Sequence, residues 1–556
     1  MRGDIKVDKL KIILDKDKII EVKKGIKFKE IVDKYYKNDE IILCKLEGNY
    51  YELDKEVPCD GTLSVIDASS TIGWKVYSRT LQFIFIKATL DLFPEATINI
   101  QHSISKGIFG EVYKDKALTK KDIEDIKKEM QVIIKRDIPI TKITVSKEKA
   151  INIFRDYGME DKIRLLSQLK LDKVSLYELD GRYDYFYGEM AYSTGIIKAF
   201  DLILYAHGFI LRHPREDNIR ELPEFKAQKA LEKIFYETEE WINVLGVGDV
   251  GRLNERILND EITDIVLVSE ALHEKKIAYI ADNISNKDYI KLVLIAGPSS
   301  SGKTTFVNRL GVQLRVNGSI PIKISLDDYF VNRSDSPRDE NGNYDFESIK
   351  SIDLKLFNEH LNELLKGNTI ELPSYNFKTG EREWHGERIS LPSNGVILVE
   401  GIHGLNPLLT NAVPDENKFK IYISALTQLN LDNHNRISTT DVRKIRRIVR
   451  DYLSRGYGAE ETLLMWPSIK KGERENIFVY QEEADVMINS TLVYELCVLK
   501  SYALKELKKI QPSSEVYYEA KRLISFLEFF EEISFEEVPR NSILREFIGG
   551  SCFYKY

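Results

Sequence analysis

The sequence predicts an α/β protein: a doubly wound parallel sheet with a phosphate-binding loop in the C-terminal half, preceded by smaller α+β units. Three observations lead there. An apolar run, Lys291 to Ala296, enters a glycine-framed loop and then a helical stretch, Phe306 to Arg315. Two further apolar runs, Ile322 to Leu326 and Val396 to Val399, end in acids, as strands do at the ligand crevice of a parallel sheet. Ahead of residue 289, short β-like runs alternate with stretches of helical spacing.

At 556 residues the chain has room for three or four domains of about 150 residues each. Apolar residues at 43% and charged residues at 30%, mixed along the length, fit globular domains and exclude a disordered chain. A net charge of -7 excludes a global attraction to nucleic acid or anionic membrane, so any RNA contact has to be local. Cys44, Cys59, Cys497 and Cys552 are too few and too scattered for a disulfide framework or a paired-cysteine metal site, which points to a reducing compartment. The opening Met-Arg-Gly-Asp lacks the apolar core of a secretory signal. The most apolar stretch, Leu81 to Phe93, is broken by Lys87 and Asp91 and is shorter than the ~20 residues of a membrane helix. The expected location is the cytoplasm, without membrane contact.

Residues 1–67 carry short strand-like runs (Ile41-Ile42-Leu43 and Leu63-Ser64-Val65-Ile66), a helical stretch near Phe28 to Tyr36, and turns at Gly48-Asn49 and Asp60-Gly61. With Val57-Pro58-Cys59-Asp60-Gly61-Thr62-Leu63, this unit resembles a TGS domain, the ubiquitin-like module of threonyl-tRNA synthetases and some GTPases. An unrelated β-rich cap is the alternative. Residues 68–215 contain Val174-Ser175-Leu176-Tyr177 and Tyr192-Ser193-Thr194-Gly195-Ile196-Ile197-Lys198-Ala199-Phe200. They resemble the second, editing domain of threonyl- and alanyl-tRNA synthetases. In that family an HxxxH pair and a later Cys and His, four residues apart, have metal-ligand character. Here those places hold Tyr77, Leu81, Phe186 and Met190, none of which replaces an imidazole or thiolate, so neither editing nor metal binding is expected. His102, His207 and His213 read as isolated surface or core residues. Residues 216–288, rich in Glu, Lys and Leu, read as a helical connector, and residues 491–556 as a helical segment packed on the domain before it, with no chemistry assigned.

The chemistry lies in 289–490. Gly297-Pro298-Ser299-Ser300-Ser301-Gly302-Lys303-Thr304-Thr305 fits the P-loop pattern GxxxxGK[ST], between strand and helix as required. Its backbone N–H groups are placed to cradle ATP phosphates at a helix N-terminus, Lys303 to neutralise them and Thr304 to hold Mg²⁺. GTPases share this loop, but they read guanine with a downstream NKxD segment. Asn286-Lys287-Asp288 lies ahead of the loop, with Tyr289 where the acid belongs. Asp327, at the end of its strand, is positioned to accept a substrate hydroxyl proton, and Glu400 to help hold Mg²⁺. Asp328 reads equally well as a helix cap.

The order GPSSSGKTT, Asp327-Asp328-Tyr329-Phe330, Tyr344-Asp345-Phe346, Pro373-Ser374-Tyr375-Asn376-Phe377, Val-Glu-Gly and Arg446-Arg447-Ile448-Val449-Arg450-Asp451 resembles the uridine kinase and phosphoribulokinase superfamily. The resemblance implies that Asp327 is the catalytic base, that Asp345 with Arg447 holds ribose hydroxyls, and that Tyr344, Tyr375 and Phe377 wall a nucleobase. A carboxylate and a guanidinium suit hydroxyls and aromatic rings suit a base, although core packing explains Tyr375 or Phe377 alone equally well.

Arg443, Arg447 and Arg450 repeat about 200° around a helical wheel from Ile445, Val449 and Tyr452, and such stripes are ordinarily solvated surface. The resemblance instead makes this helix a lid, with Arg450 and Arg455 stabilising the transferring phosphoryl group. Two departures bear on the acceptor: Gly380 stands where uridine-cytidine kinases place a base-reading histidine, and Tyr457 occupies a lid arginine position. The expected reaction is Mg²⁺-dependent transfer of the ATP γ-phosphoryl group to a nucleoside 5'-hydroxyl. A nucleotide-responsive RNA-binding protein, with RNA on the N-terminal half, and a kinase of another small hydroxyl compound stay open, as does homo-oligomer formation.

Overall fold

The computed structural model describes residues 9–554, apart from positions 339, 341, 343 and 412 and the side chain at 16. The opening Met-Arg-Gly-Asp lies outside them.

The first unit is a five-stranded sheet in the order Lys18–Lys23, Lys9–Leu14, Gly61–Asp67, Ile41–Leu46, Asn49–Glu52. Lys9–Leu14 and Gly61–Asp67 run parallel, and the other pairs are antiparallel. Phe28, Ile31 and Val32, the buried stripe of the helix Phe28–Tyr35, close this sheet over Ile12 and Leu63.

Next, the helix Thr71–Leu92 is buried along most of its length, which explains its near-continuous apolar sequence. It shares a core with the four-stranded sheet Asp201–Tyr205, Gly208–Arg212, Gly107–Tyr113, Thr97–Ile104 and with the helix Lys120–Lys135. Tyr77, Leu81, Phe186 and Met190 are all buried in that core. The Tyr77 hydroxyl donates to the Ala199 carbonyl at 2.8 Å, and Phe186 packs on Phe83. His102 is stacked between Phe109 and Phe235, His213 is buried beside Trp74, and His207 meets Glu111 at 2.7 Å.

Three helices follow, Lys229–Leu245, Val250–Leu258 and Ile262–Ser285. The last is more than a connector. Its residues Ile277, Ile280 and Ile284 cover one face of a five-stranded, fully parallel sheet ordered Ile320–Ser325, Gly395–Glu400, Leu292–Ala296, Lys418–Ser424, Val486–Asn489. Period-two alternation sends Val293 and Ile295 to that face and Leu292 and Leu294 to the other, where Phe357, Leu361 and Leu364 of the helix Leu354–Leu365 pack. With both faces covered, the sheet is doubly wound. Among the described residues no helix is long and apolar enough to cross a membrane.

The C-terminal helices Glu495–Leu507 and Tyr517–Leu527 and the short turn Arg545–Ile548 build a large apolar cluster with the helix Thr439–Arg450 and with Leu165 and Leu166 of the helix Glu160–Gln168. Glu546 and Tyr554, beyond these helices, reach Thr305 at the end of the phosphate loop.

Candidate active site

The strand Leu292–Ala296 delivers the loop and the helix Lys303–Val316 carries it away. Gly297 is required by close approach, since a Cβ there would sit 2.0 Å from the Ile423 carbonyl oxygen. Gly302 and Ser300 adopt left-handed backbone, φ 84° and 60°, which curls the loop around a concavity. The Lys303 ammonium donates to the Gly297 and Pro298 carbonyls at 3.0 and 3.2 Å. The Ser300 and Ser301 hydroxyls are buried without a hydrogen-bond partner, as expected where a ligand supplies the acceptor.

Glu400 ends the strand Gly395–Glu400, and its carboxylate accepts from the Thr304 hydroxyl at 3.3 Å. Burial pushes its carboxyl up to about 7; Lys303 pulls the other way, and Asp327 and Glu546 add to the rise. Two hard oxygen donors side by side, one of them a crowded carboxylate, fit a divalent cation such as Mg²⁺. Asp327 lies in the turn Leu326–Tyr329 that directly follows the strand Ile320–Ser325. It is near enough for its charge to help raise both the Glu400 and the Glu347 carboxyls. Asp328 instead accepts from the Tyr375 backbone N–H at 3.2 Å, and burial raises its carboxyl to about 6. It anchors the strand Thr369–Asn376.

The arginines of the helix Thr439–Arg450 do not form the solvated stripe that their spacing ordinarily denotes. In Thr439–Arg450 both Arg443 and Arg450 are buried, and three arginines grip the loop. Arg443 Nε donates to the Ser299 carbonyl at 2.9 Å, Arg446 Nη1 to the Ser300 carbonyl at 3.3 Å, and Arg447 Nη1 to the Ser299 hydroxyl at 2.6 Å. Five π-helical residues, Asp451–Arg455, follow and end at Gly456. There Asp451 gathers Arg447, Arg450 and Arg455 at 3.0, 3.1 and 3.7 Å. The neighbouring Arg450 charge, helped by burial, lowers Arg455 to about 10.

The remaining candidate residues fall into separate groups. Asp345 accepts from the Glu347 backbone N–H at 3.2 Å, and no ion pair among the described residues joins it to Arg447. Tyr375 and Phe377 do meet, at 5.2 Å between centroids, together with Phe330. Tyr344 stands apart, stacked on Phe346 with the Arg338 guanidinium 4.2 Å over its ring. Tyr375 is buried in the core beneath the sheet, whereas Phe377 is 57% exposed.

Three acids missed in the sequence complete the site. The Glu473 carboxylate accepts from the Ser299 backbone N–H at 2.9 Å and pairs with Arg443. The Glu546 carboxylate accepts from the Thr305 backbone N–H and hydroxyl at 3.0 and 3.1 Å. Glu347 packs against Gly472 and feels Glu473, Arg447, Lys303 and Asp327. Nothing local marks any of them, because each reaches the loop from a distant segment.

Burial, reinforced by Glu473, holds the Glu347 carboxyl up at about 7 against an ordinary 4.5. The folded state therefore binds this proton more tightly than the unfolded chain, so the stabilisation is greatest below pH 4.5 and is lost as pH rises towards 7. Urea unfolding of the wild type should show that decline, and Glu347→Gln should flatten it by about 2 kcal/mol across the window. An unchanged slope would assign the titration to other groups.

A family model described as Phosphoribulokinase / Uridine kinase family matches residues 292–495. Among curated proteins, the threonine–tRNA ligase of Clostridium tetani is 31% identical over 205 residues, 36% of this chain and 32% of that protein. The threonine–tRNA ligase of Syntrophotalea carbinolica is 31% identical over 163 residues, 29% of this chain and 26% of its own. The chain thus spans about a third or less of the curated relatives it matches. Among solved structures, "Structure of a Possible Uridine Kinase from Bacillus stearothermophilus" is 18% identical with a TM-score of 0.25, covering 36% of this chain and 89% of that one. A D-glycerate 3-kinase from Cryptococcus neoformans var. grubii is 15% identical with a TM-score of 0.22, covering 46% and 87%.

Proposed function

We propose, from the premise that the C-terminal part carries a phosphoribulokinase/uridine kinase family domain, that this domain moves the γ-phosphoryl group of ATP to the 5'-hydroxyl of a nucleoside. The observation that carries the reading is the convergence of Lys303, Thr304, Glu400 and Asp327 on one crevice, at the carboxyl ends of adjacent parallel strands. Binding of phosphates alone does not need an acid at the position of Asp327.

In this reading the loop N–H groups and Lys303 hold the donor phosphates, and Thr304 and Glu400 hold Mg²⁺, which when bound neutralises charge on the phosphate oxygens. Asp327 orients the acceptor hydroxyl and takes its proton late, because the transition state for phosphoryl transfer is loose. Arg450 and Arg455, presented by Asp451, stabilise charge on the transferring group. Phe377, the exposed ring beside Tyr375, offers the acceptor a flat apolar wall. A second reading, phosphorylation of a smaller alcohol, is favoured by the burial of Tyr375 and the separate stack of Tyr344, which leave fewer rings for a base.

The test is ATP consumption with Mg²⁺ against ribonucleosides, deoxyribonucleosides, sugars and glycerate, for the wild type and Asp327→Asn. A nucleoside should stimulate turnover, and the variant should lose about 10²–10⁴-fold in kcat while still binding ATP. Stimulation by a sugar or glycerate alone would install the second reading. No stimulation by any acceptor, with ATP bound, would remove the kinase reading.

A further inference from the structure

Two backbone donors of the phosphate loop, the Ser299 and Thr305 N–H groups, are already engaged by the chain's own carboxylates. The helix Lys303–Val316 begins with N–H groups that have no intrahelical acceptor, which is what makes such a terminus an anion site. At Thr305 that acceptor is Glu546, bonded to both the N–H and the hydroxyl. Thr305 is fully buried, and the Tyr554 hydroxyl lies 2.6 Å from the same Oγ1. Earlier in the loop, ahead of the helix, the Ser299 N–H is held by Glu473. The segment that brings Glu546 is seated on the loop: Ile543 lies over Gly302, where a Cβ would come within 2.6 Å of its Cγ2, and the Phe547 ring lies 5.0 Å from the Arg446 guanidinium.

We infer that Glu546 is an internal competitor for nucleotide phosphate, a resident anion that must leave Thr305 before the phosphate nearest the nucleoside can take its place. The inference rests on the kinase reading of the loop and adds to it a means by which the C-terminal segment sets nucleotide affinity. Charge is the reason the two cannot coexist. A carboxylate and a phosphate on one N–H would stand within a few ångströms in a site of low solvent access, where like charges repel strongly. The backbone need not move, since Leu544 and Phe547 are anchored in the apolar cluster and the Arg545 guanidinium holds the Val538 and Phe535 carbonyls. Rotation of the Glu546 side chain frees the Thr305 N–H, while the Thr305 hydroxyl keeps its contact with Tyr554.

Glu546→Gln separates competition from capping. The amide oxygen still accepts from the Thr305 N–H, so the helix terminus stays capped, but the negative charge is gone. Calorimetric titration of full-length wild type and variant with ADP, pyrophosphate and adenosine should give about tenfold tighter binding of ADP and pyrophosphate to the variant, with adenosine unchanged. A crystal structure of the wild type with ADP should show a phosphate oxygen on the Thr305 N–H and the Glu546 carboxylate turned away. Equal or weaker ADP binding by the variant, or ADP in the loop with Glu546 still on Thr305, overturns the inference and leaves the kinase reading standing. Failure of ADP and ATP to bind either protein removes both.

Discussion

Lys303→Met should lower kcat/KM for phosphoryl transfer by about 10³-fold while leaving the unfolding temperature close to that of the wild type. In the structure the ammonium rests on two carbonyls of its own loop, so its native-state bonds are few and neutral. Its field nonetheless reaches Glu400 and Glu347 on either side of the crevice. Preorganised charge of this kind gains its value only when negative charge develops opposite it, so the loss falls on the transition state more than on folding. Methionine keeps the apolar stem and removes the charge. Measurement of kcat and KM with the acceptor found in the panel, alongside calorimetric unfolding, checks both halves. A large loss of stability with unchanged kcat would show that Lys303 holds the loop's shape instead.

Lys162→Met should destabilise the whole chain by about 3–5 kcal/mol. Lys162, in the helix Glu160–Gln168, is fully buried and lies 3.0 Å from Asp184 and 2.9 Å from Asp432, both fully buried as well. Burial works against its charge, but Asp184 and Asp432 outweigh it and hold the ammonium above its ordinary range. Burial opposes ionisation of Asp184 too, yet Lys162 and His434 keep its carboxyl well below the usual carboxylate range. Asp432 also accepts from the backbone N–H groups of His434 and Asn435.

Without the lysine, two carboxylates would face each other in the dry core, and the cost comes from the charges left behind. Because Asp432 belongs to the hairpin Asn430–Asp432 and Asn435–Arg436, which follows the parallel-sheet strand Lys418–Ser424, the variant should also loosen the parallel-sheet domain from the N-terminal half. Denaturant unfolding followed by a probe in each half checks this. A single transition with an unchanged midpoint would show that the cluster relaxes by taking up water or protons.

The parts of the site that were legible in the sequence share a physical character. Gly297 to Thr305 must bend backbone around an anion, and that demand is met by neighbouring residues, so it leaves a local signature. Asp327 and Glu400 were legible because each ends its own apolar strand, and strand ends in a parallel sheet point into the crevice. The parallel sheet itself followed from its short apolar runs. Tyr77, Leu81, Phe186 and Met190 are legible as core candidates from their apolar bulk, and all four are buried.

What only the tertiary structure decided are contacts between segments far apart in the chain. The arginine stripe of Thr439–Arg450 has the pattern of a solvated face, yet Arg443 and Arg447 turn onto the Ser299 carbonyl and hydroxyl of the phosphate loop and Arg450 onto Asp451. Arg447 turns to the Ser299 hydroxyl and to Asp451, contacts that its place in the sequence does not announce. Glu473 reaches Ser299 across 174 residues and Glu546 reaches Thr305 across 241. At such separations side-chain type carries no information about its partner, because the partner is chosen by how sheet, lid and C-terminal segment pack. The sequence therefore determined the loop, its sheet and the acids at the strand ends. Packing alone decided which carboxylates would occupy the loop's donors.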